Sequence, residues 1–163
     1  MRIRALLVTG VAIGAISAPY VAQAVSAPLP IHSVTPGATN QAVTQANIGS
    51  TICVVGYTKT IRPPASYTTG LKRQQLRGTY SFYGTTSTKL FEEDHLIPLE
   101  VGGAPRSVAN LWPEPWTSAR MKDALENKMH LLVCAHQITL AVAQKAFATN
   151  WVAAYNKYVI GNS

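Results

Sequence analysis

The two cysteines constrain the fold of this chain more than any other residues. Cys53 and Cys134 are 81 residues apart, so a bond between them would tie the middle of the chain to a segment near its C-terminus. In the chain-entropy model, closing a loop of that length stabilises the folded state by about 4 kcal/mol. Two buried free thiols are the alternative. The choice depends on the compartment in which the chain folds.

The N-terminal segment is typical of a secretory signal peptide. Residues 1–4 carry two arginines, residues 5–18 form an apolar run, and Ala22 and Ala24 occupy the −3 and −1 positions of a cleavage site. The run is shorter than the about 20 residues that span a bilayer. We therefore expect removal of residues 1–24 and a secreted protein, extracellular or periplasmic, with no membrane contact in its mature form. A second candidate cleavage site ends at Ala27, and an uncleaved anchor is the alternative. Export favours the disulfide.

Composition indicates one globular domain. Of the 163 residues, 47% are hydrophobic and 13% are charged, which excludes wholesale disorder, collagen and coiled coil. Residues 25–50 are uncharged and contain three prolines, so we expect an extended leader whose last part, residues 45–50, docks onto the domain. The domain itself is predicted over residues 51–163.

Charge is divided unevenly along the chain. The whole sequence carries a formal net charge of +7, and all the acidic residues lie at or after Glu92. A basic half with interleaved tyrosines suits a nucleic acid, because lysine and arginine neutralise phosphates and aromatic rings stack on bases. A solvated basic surface over packed tyrosines is the alternative. The candidate nucleic-acid-binding residues are Lys59, Arg62, Lys72, Arg73, Arg77 and Lys89.

Hydrophobic periodicity predicts an α+β protein. A short β-branched run, residues 52–55, predicts a strand, and residues 67–76 predict a short helix. Apolar residues on one face predict a helix over residues 119–133, with Ser118 or Thr117 as its N-cap, and a second helix over residues 140–158, with Thr139 as its N-cap.

The segment with the clearest chemical pattern runs from Phe91 to Pro113. Asp94 and His95 end a predicted strand, Gly102-Gly103 permits a tight reversal, and a loop then leads through Asn110 to a second short strand and a helix. Hydrolysis of a phosphodiester needs a base for water and a cation for the phosphoryl oxygens. Histidine supplies the first, and carboxylate and amide oxygens can hold Mg²⁺ for the second.

This segment resembles the HNH endonuclease superfamily, and the chain from residue 52 to 155 is similar to small exported bacterial HNH-like proteins. The matching features are Cys53…Gly56-Tyr57, Arg62-Pro63, Glu92-x-Asp94-His95-Leu-Ile-Pro-Leu-Glu-x-Gly-Gly103, Asn110-Leu-Trp-Pro113, Lys122-Asp123-x-x-Glu126, Val133-Cys134 and Ala143-Gln144…Trp151. The resemblance implies a ββα-metal core with a basic N-terminal extension and two C-terminal helices, stapled by one disulfide.

The resemblance also implies roles for particular residues. His95 would be the general base, Asp94 the first metal ligand, and Asn110 the residue that braces the loop around the base. The last ligand of the superfamily motif has no clear match here. Asp123 and Glu126 are the candidates for it, Asp123 being preferred, and the metal would be Mg²⁺, with Mn²⁺ or Zn²⁺ as alternatives.

The leading functional hypothesis is a secreted, metal-dependent endonuclease that cleaves DNA, or RNA as well, with low sequence specificity. The missing final ligand supports an alternative, a secreted HNH-like module that binds nucleic acid or an envelope polymer without turnover. No protein partner is evident from the sequence.

Overall fold

A short antiparallel hairpin followed at once by a long helix forms the centre of the structure, a computed structural model that describes residues 24–161. The predicted signal peptide lies outside this range, apart from its last residue. Within the described residues there are four α-helices and two strands, so the predicted α+β class is confirmed. They are α1 (Tyr57–Ile61), α2 (Ala65–Arg77), β1 (Phe91–His95), β2 (Leu111–Pro115), α3 (Trp116–Cys134) and α4 (Leu140–Tyr155).

The hairpin and α3 reproduce the predicted order of strand, loop, strand and helix. Strand β1 pairs antiparallel with β2, placing Asp94 opposite Trp112 and His95 opposite Leu111. The connecting loop, residues 96–110, contains two single 3₁₀ turns, and α3 begins directly after β2. Helix α2 packs beside both strands, so the basic part of the chain lies next to the hairpin.

Helices α3 and α4 pack against each other and supply most of the core. The apolar stripes predicted from periodicity are largely confirmed, because the side chains at their centres are buried. Met121, Leu132 and Tyr155, at the margins of these stripes, are only partly buried. Thr139 caps α4 as predicted, accepting a hydrogen bond from the backbone N–H of Val142. The fully or nearly fully buried residues are Leu125, Met129, Val133, Ala143, Phe147, Trp151 and Ala154.

The strand predicted over residues 52–55 is wrong. This segment forms consecutive turns, in which the N–H of Val54 donates to the carbonyl of Thr51 and the N–H of Tyr57 donates to that of Val54. Val54 and Val55 are exposed. A β-branched run becomes a strand only where a second strand pairs with it, and the neighbouring groups here are a helix and a disulfide.

The predicted start of α3 is also wrong by one turn. The helix begins at Trp116 with Pro115 as its N-cap, and the hydroxyl of Ser118 lies inside the first turn, where it donates to the carbonyl of Pro115. Proline suits a helix start because it has no N–H to leave unpaired and its φ is fixed near the helical value. Pro115, which ends β2, is therefore the N-cap of α3 in place of the predicted Ser118 or Thr117.

The leader docks along much more of its length than predicted. The N–H of Gly37 donates to the carbonyl of Ala109, and that of Asn40 donates to Gly102. Thr39 and Gly103 form an isolated β-bridge, and Thr35 is fully buried against the hydroxyl of Tyr80. Residues of the extended leader before the predicted docking segment therefore hold the loop between β1 and β2.

The predicted disulfide is present. Cys53 and Cys134 are bonded, with their Cα atoms 5.7 Å apart. The bond joins the turns before α1 to the last residue of α3. Within residues 24–161, no helix combines the length and apolar character needed to cross a membrane.

Candidate functional site

His95 is the last residue of β1 and is 5% exposed. Its Nε2 lies 2.9 Å from the carbonyl oxygen of Pro105. A carbonyl can only accept a hydrogen bond, so Nε2 carries the proton in the neutral ring and Nδ1 keeps its lone pair. The loop therefore fixes one tautomer, and that tautomer has one nitrogen able to take a proton.

Burial lowers the pKa of His95, because the protonated ring is poorly solvated there. The positive charges of Lys122 and Arg62 lower it further, while the bond to Pro105 and the carboxylate of Asp94 act in the opposite direction. At neutral pH the ring is consequently uncharged, which is the form that a general base requires.

Asn110 braces the loop that carries Pro105. Its Oδ1 accepts from the N–H of Ile97 at 2.9 Å and from that of Ala38 at 3.3 Å. Its Nδ2 donates to the carbonyls of Ile97 and Ala104 at 2.9 and 3.1 Å. The side chain is fully buried and joins both ends of the loop to the leader.

Gly103 is required by the close approach of two parts of the same loop. A Cβ at this position would lie 1.7 Å from the carbonyl oxygen of Ile97 and 2.9 Å from Nδ2 of Asn110. No side chain fits such a distance, so the second glycine of the pair permits the Asn110 contacts. Gly102, at φ +77°, adopts the left-handed conformation that ends the preceding turn.

Lys122 occupies the space between β1 and α3. Its ammonium lies 2.6 Å from Oδ2 of Asp94, 2.5 Å from Oε1 of Glu126 and 2.8 Å from the carbonyl oxygen of His95. The residue is 1% exposed. Two of the three carboxylates predicted to bind a metal therefore bind a lysine of the same chain.

The charge around Lys122 depends on which of the neighbouring carboxyl groups are protonated, and burial raises the pKa of Glu126 to about 8. Burial by itself would raise the pKa of Asp94, but the adjacent ammonium outweighs it and holds that pKa below its usual range. Burial, followed by the negative charge of Asp94, raises the pKa of Glu114 to about 9. Glu114 is fully buried, so it is protonated at neutral pH.

A small cavity of about 50 Å³ brings together several of the predicted site residues. Asp94, His95, Asp123, Glu126 and Arg62 all line it. A larger cavity of about 340 Å³ shares His95, Arg62 and Glu92 with it and adds Lys72 from α2 and Glu93 from β1. The histidine, arginine and lysine suit a substrate that carries phosphate, although carboxyl groups line the same cavities.

Four of the six predicted nucleic-acid-binding residues lie on the exposed surface outside these two cavities. Lys72 differs from them in that its ammonium also donates to the carbonyl of Phe91 at 2.8 Å, which ties α2 to β1. Arg62 is exposed, and it follows α1 directly. The four residues that do not line either cavity are Lys59, Arg73, Arg77 and Lys89.

The carboxylates do not fit a divalent metal ion as they are arranged. Asp94 and Glu126 are engaged by Lys122, and Asp123 lies at the exposed edge of the cavity. Within residues 24–161, the cluster of potential ligand atoms that lie within 4.8 Å of one another consists of Cys53, His130 and Cys134. That group could hold a metal, but its two cysteines form the disulfide. A divalent cation at Asp94 stays a prediction.

Sequence reasoning missed the roles of Lys122 and Glu114. A signal for Lys122 was available, since it lies three and seven residues before Leu125 and Met129 and so shares their buried face. Glu126, one turn after it, supplies the partner that a buried lysine needs. Glu114 lies two residues after Trp112 on β2, and Trp112 pairs with Asp94. The side chain of Glu114 is therefore on the same face of the sheet as that of Asp94.

No protein-family model matches the chain, and no match was found among curated proteins or solved structures.

Proposed function

We propose that this protein is an exported nuclease, which hydrolyses phosphodiester bonds of DNA or RNA with low sequence specificity. The observation that carries the proposal is the state of His95: a buried, uncharged imidazole, fixed in one tautomer by Pro105, in a hollow that also contains Arg62 and Lys72. The resemblance of the Asp94-His95 segment to HNH endonucleases supports it independently.

The proposed reaction uses His95 as the general base. A water molecule attacks phosphorus while His95 accepts one of its protons, the bond from phosphorus to the leaving sugar oxygen breaks, and that oxygen takes a proton from solvent. Arg62 offers two parallel N–H donors to the phosphoryl oxygens. Asn110 acts indirectly, by holding the loop whose Pro105 carbonyl orients the ring.

The experiment is cleavage of supercoiled plasmid and of a structured RNA by the mature, disulfide-bonded protein, with Mg²⁺, with Mn²⁺ and with chelator in parallel. Gel retardation under the same conditions separates binding from hydrolysis. Conversion to nicked or linear DNA, or fragmentation of the RNA, supports the proposal. Absence of cleavage in every arm, at protein concentrations that retard the nucleic acid, would reject it.

One observation favours a second candidate, a secreted nucleic-acid-binding module without turnover. Lys122 contacts Asp94 and Glu126, two of the three carboxylates predicted to bind the catalytic metal. The basic residues around the larger cavity would still bind phosphate. Salt-sensitive retardation without hydrolysis of either nucleic acid is the result that this candidate predicts.

A further inference from the structure

The geometry around Lys122 is that of a filled cation site. An ammonium group has three N–H donors, and here three oxygen atoms lie within 2.5–2.8 Å of the nitrogen. They come from a carboxylate of β1, a carboxylate of α3 and the backbone at the end of β1. Carboxylate and carbonyl oxygens from separate elements are also what Mg²⁺ takes as ligands. In this chain the cation that joins the strand to the helix is a covalent part of the protein.

The side chain of Lys122 is packed on all sides and has no alternative position. Its side chain is 1% exposed, and its nitrogen lies 5.5 Å from the centre of the Phe147 ring, on the core side of α3. Moving the ammonium aside for a divalent ion would bury a positive charge without its carboxylate partners, which is strongly unfavourable. The lysine and the divalent ion therefore compete for the same oxygens, and the lysine cannot leave.

We propose that the ammonium of Lys122 takes the place of a divalent cation between β1 and α3, so that the protein binds no such ion there and acts on its substrate without one. The second half of this inference rests on the proposed nuclease function, and the first half does not.

In this proposal two residues together replace the metal ion, Lys122 at the carboxylates and Arg62 at the substrate. Lys122 lies against Asp94 and donates to Glu126 and to the carbonyl of His95, and it is buried, so it is a positioning residue that does not contact substrate. Arg62 is exposed and lines both cavities beside His95, so it is the cation that can contact a phosphoryl oxygen. The hydrolytic step then balances with water as the only other reactant.

Metal binding tests the assignment without any enzymatic readout. Calorimetric titration of the full mature protein with MnCl₂ and with MgCl₂ is expected to give no saturable binding, and the thermal transition is expected to stay unmoved. In Lys122→Met the two carboxylates lose their cation, so Mn²⁺ should bind and raise the transition temperature. Lys128→Met, an exposed lysine of the same helix, is the matched control and should behave like the wild type.

Two results would overturn the assignment. One is stoichiometric binding of Mn²⁺ or Mg²⁺ to the wild type that disappears in Asp94→Asn. The other is a folded Lys122→Met protein that binds neither ion. Because Lys122→Met removes one partner of a buried network, it could fail to fold. In that event the wild-type titration alone decides the assignment, binding lost in Asp94→Asn overturning it and the absence of binding supporting it.

Cleavage in chelator tests the consequence for activity. The proposal expects the same rate of cleavage in EDTA as in Mg²⁺. A rate that falls at least tenfold in EDTA and returns with Mg²⁺ would overturn the proposal while leaving the nuclease function standing. Absence of cleavage under all conditions, together with absence of metal binding to the wild type, would reject the nuclease function and support the assignment of Lys122.

Discussion

At the scale of single residues, the site depends on buried polar groups whose neighbours set their protonation state. His95 lies against the carbonyl of Pro105, Asp94 lies beside the ammonium of Lys122, and Glu114 keeps its proton because it is buried next to Asp94. Unpaired groups in such surroundings are costly, so each partner restricts the protonation state of the next. The uncharged imidazole is one outcome of these pairings.

The pH dependence of cleavage should show the lowered pKa of His95. A general base works in its deprotonated form, so the rate rises with pH and levels off above the pKa of that group. Because burial and neighbouring cations lower the pKa of His95, the plateau should begin at a pH below that expected for an ordinary histidine. Cleavage rates at constant ionic strength measure this, and a midpoint above the ordinary histidine value would contradict it.

Gly103→Ala should lower the free energy of unfolding by about 3 kcal/mol, because a Cβ there would force apart the backbone of the loop. Its Cβ would lie 1.7 Å from the carbonyl oxygen of Ile97. Gly70→Ala is the matched control: it lies inside α2 with nothing within 4 Å, and should raise stability by about 0.5–1 kcal/mol. Urea denaturation followed by circular dichroism measures both. Equal effects of the two substitutions would contradict the steric argument.

At the scale of elements, local sequence predicted those units whose signals are local. The β1–loop–β2–α3 order followed from a strand ending in Asp94-His95, from the paired glycines and from Asn110. The strand predicted over residues 52–55 failed because a strand needs a partner elsewhere in the chain. The ion pair between Lys122 and Asp94 was harder to predict, because it depends on how α3 packs against β1.

The loop between β1 and β2 is expected to depend on Asn110. Asn110→Ala would leave the backbone groups of Ile97, Ala38 and Ala104 without their partner, at a cost of roughly 1–3 kcal/mol for each buried group that finds no water. Both stability and cleavage should fall. Hydrogen exchange should then be faster at the amides of Ile97 and Ala38 than in the wild type, with the amides of β1 and β2 changed less. Unchanged protection of these two amides would contradict the bracing role.

At the scale of the whole molecule, the disulfide and the leader connect parts that are distant in sequence. The bond from Cys53 to Cys134 ties the turns before α1 to the end of α3, while the leader covers the loop that carries Pro105. The disulfide was accessible to sequence reasoning, since only two cysteines had to be paired. The docking of the leader was not, because its contacts are backbone hydrogen bonds that any uncharged segment could make.

Removal of the disulfide should destabilise the protein without changing its fold. The Cys53→Ser, Cys134→Ser double variant should lose about 4 kcal/mol of unfolding free energy, since the closed loop spans 81 residues. Reduction of the disulfide in the wild type should move its urea midpoint of unfolding to that of the double variant. A loss below about 1 kcal/mol would show that the bond constrains the unfolded chain far less than expected.

The central claim, that His95 is the base of a nuclease, is tested most directly by the cleavage rate of His95→Gln. The glutamine amide can donate to Pro105 and keep the loop in place, but it cannot accept a proton from water. The rate should fall by about 10²-fold or more, while retardation of the same nucleic acid stays unchanged. His32→Gln, at an exposed position of the leader, is the control and should cleave at the wild-type rate. Cleavage by purified His95→Gln at the wild-type rate would contradict the account.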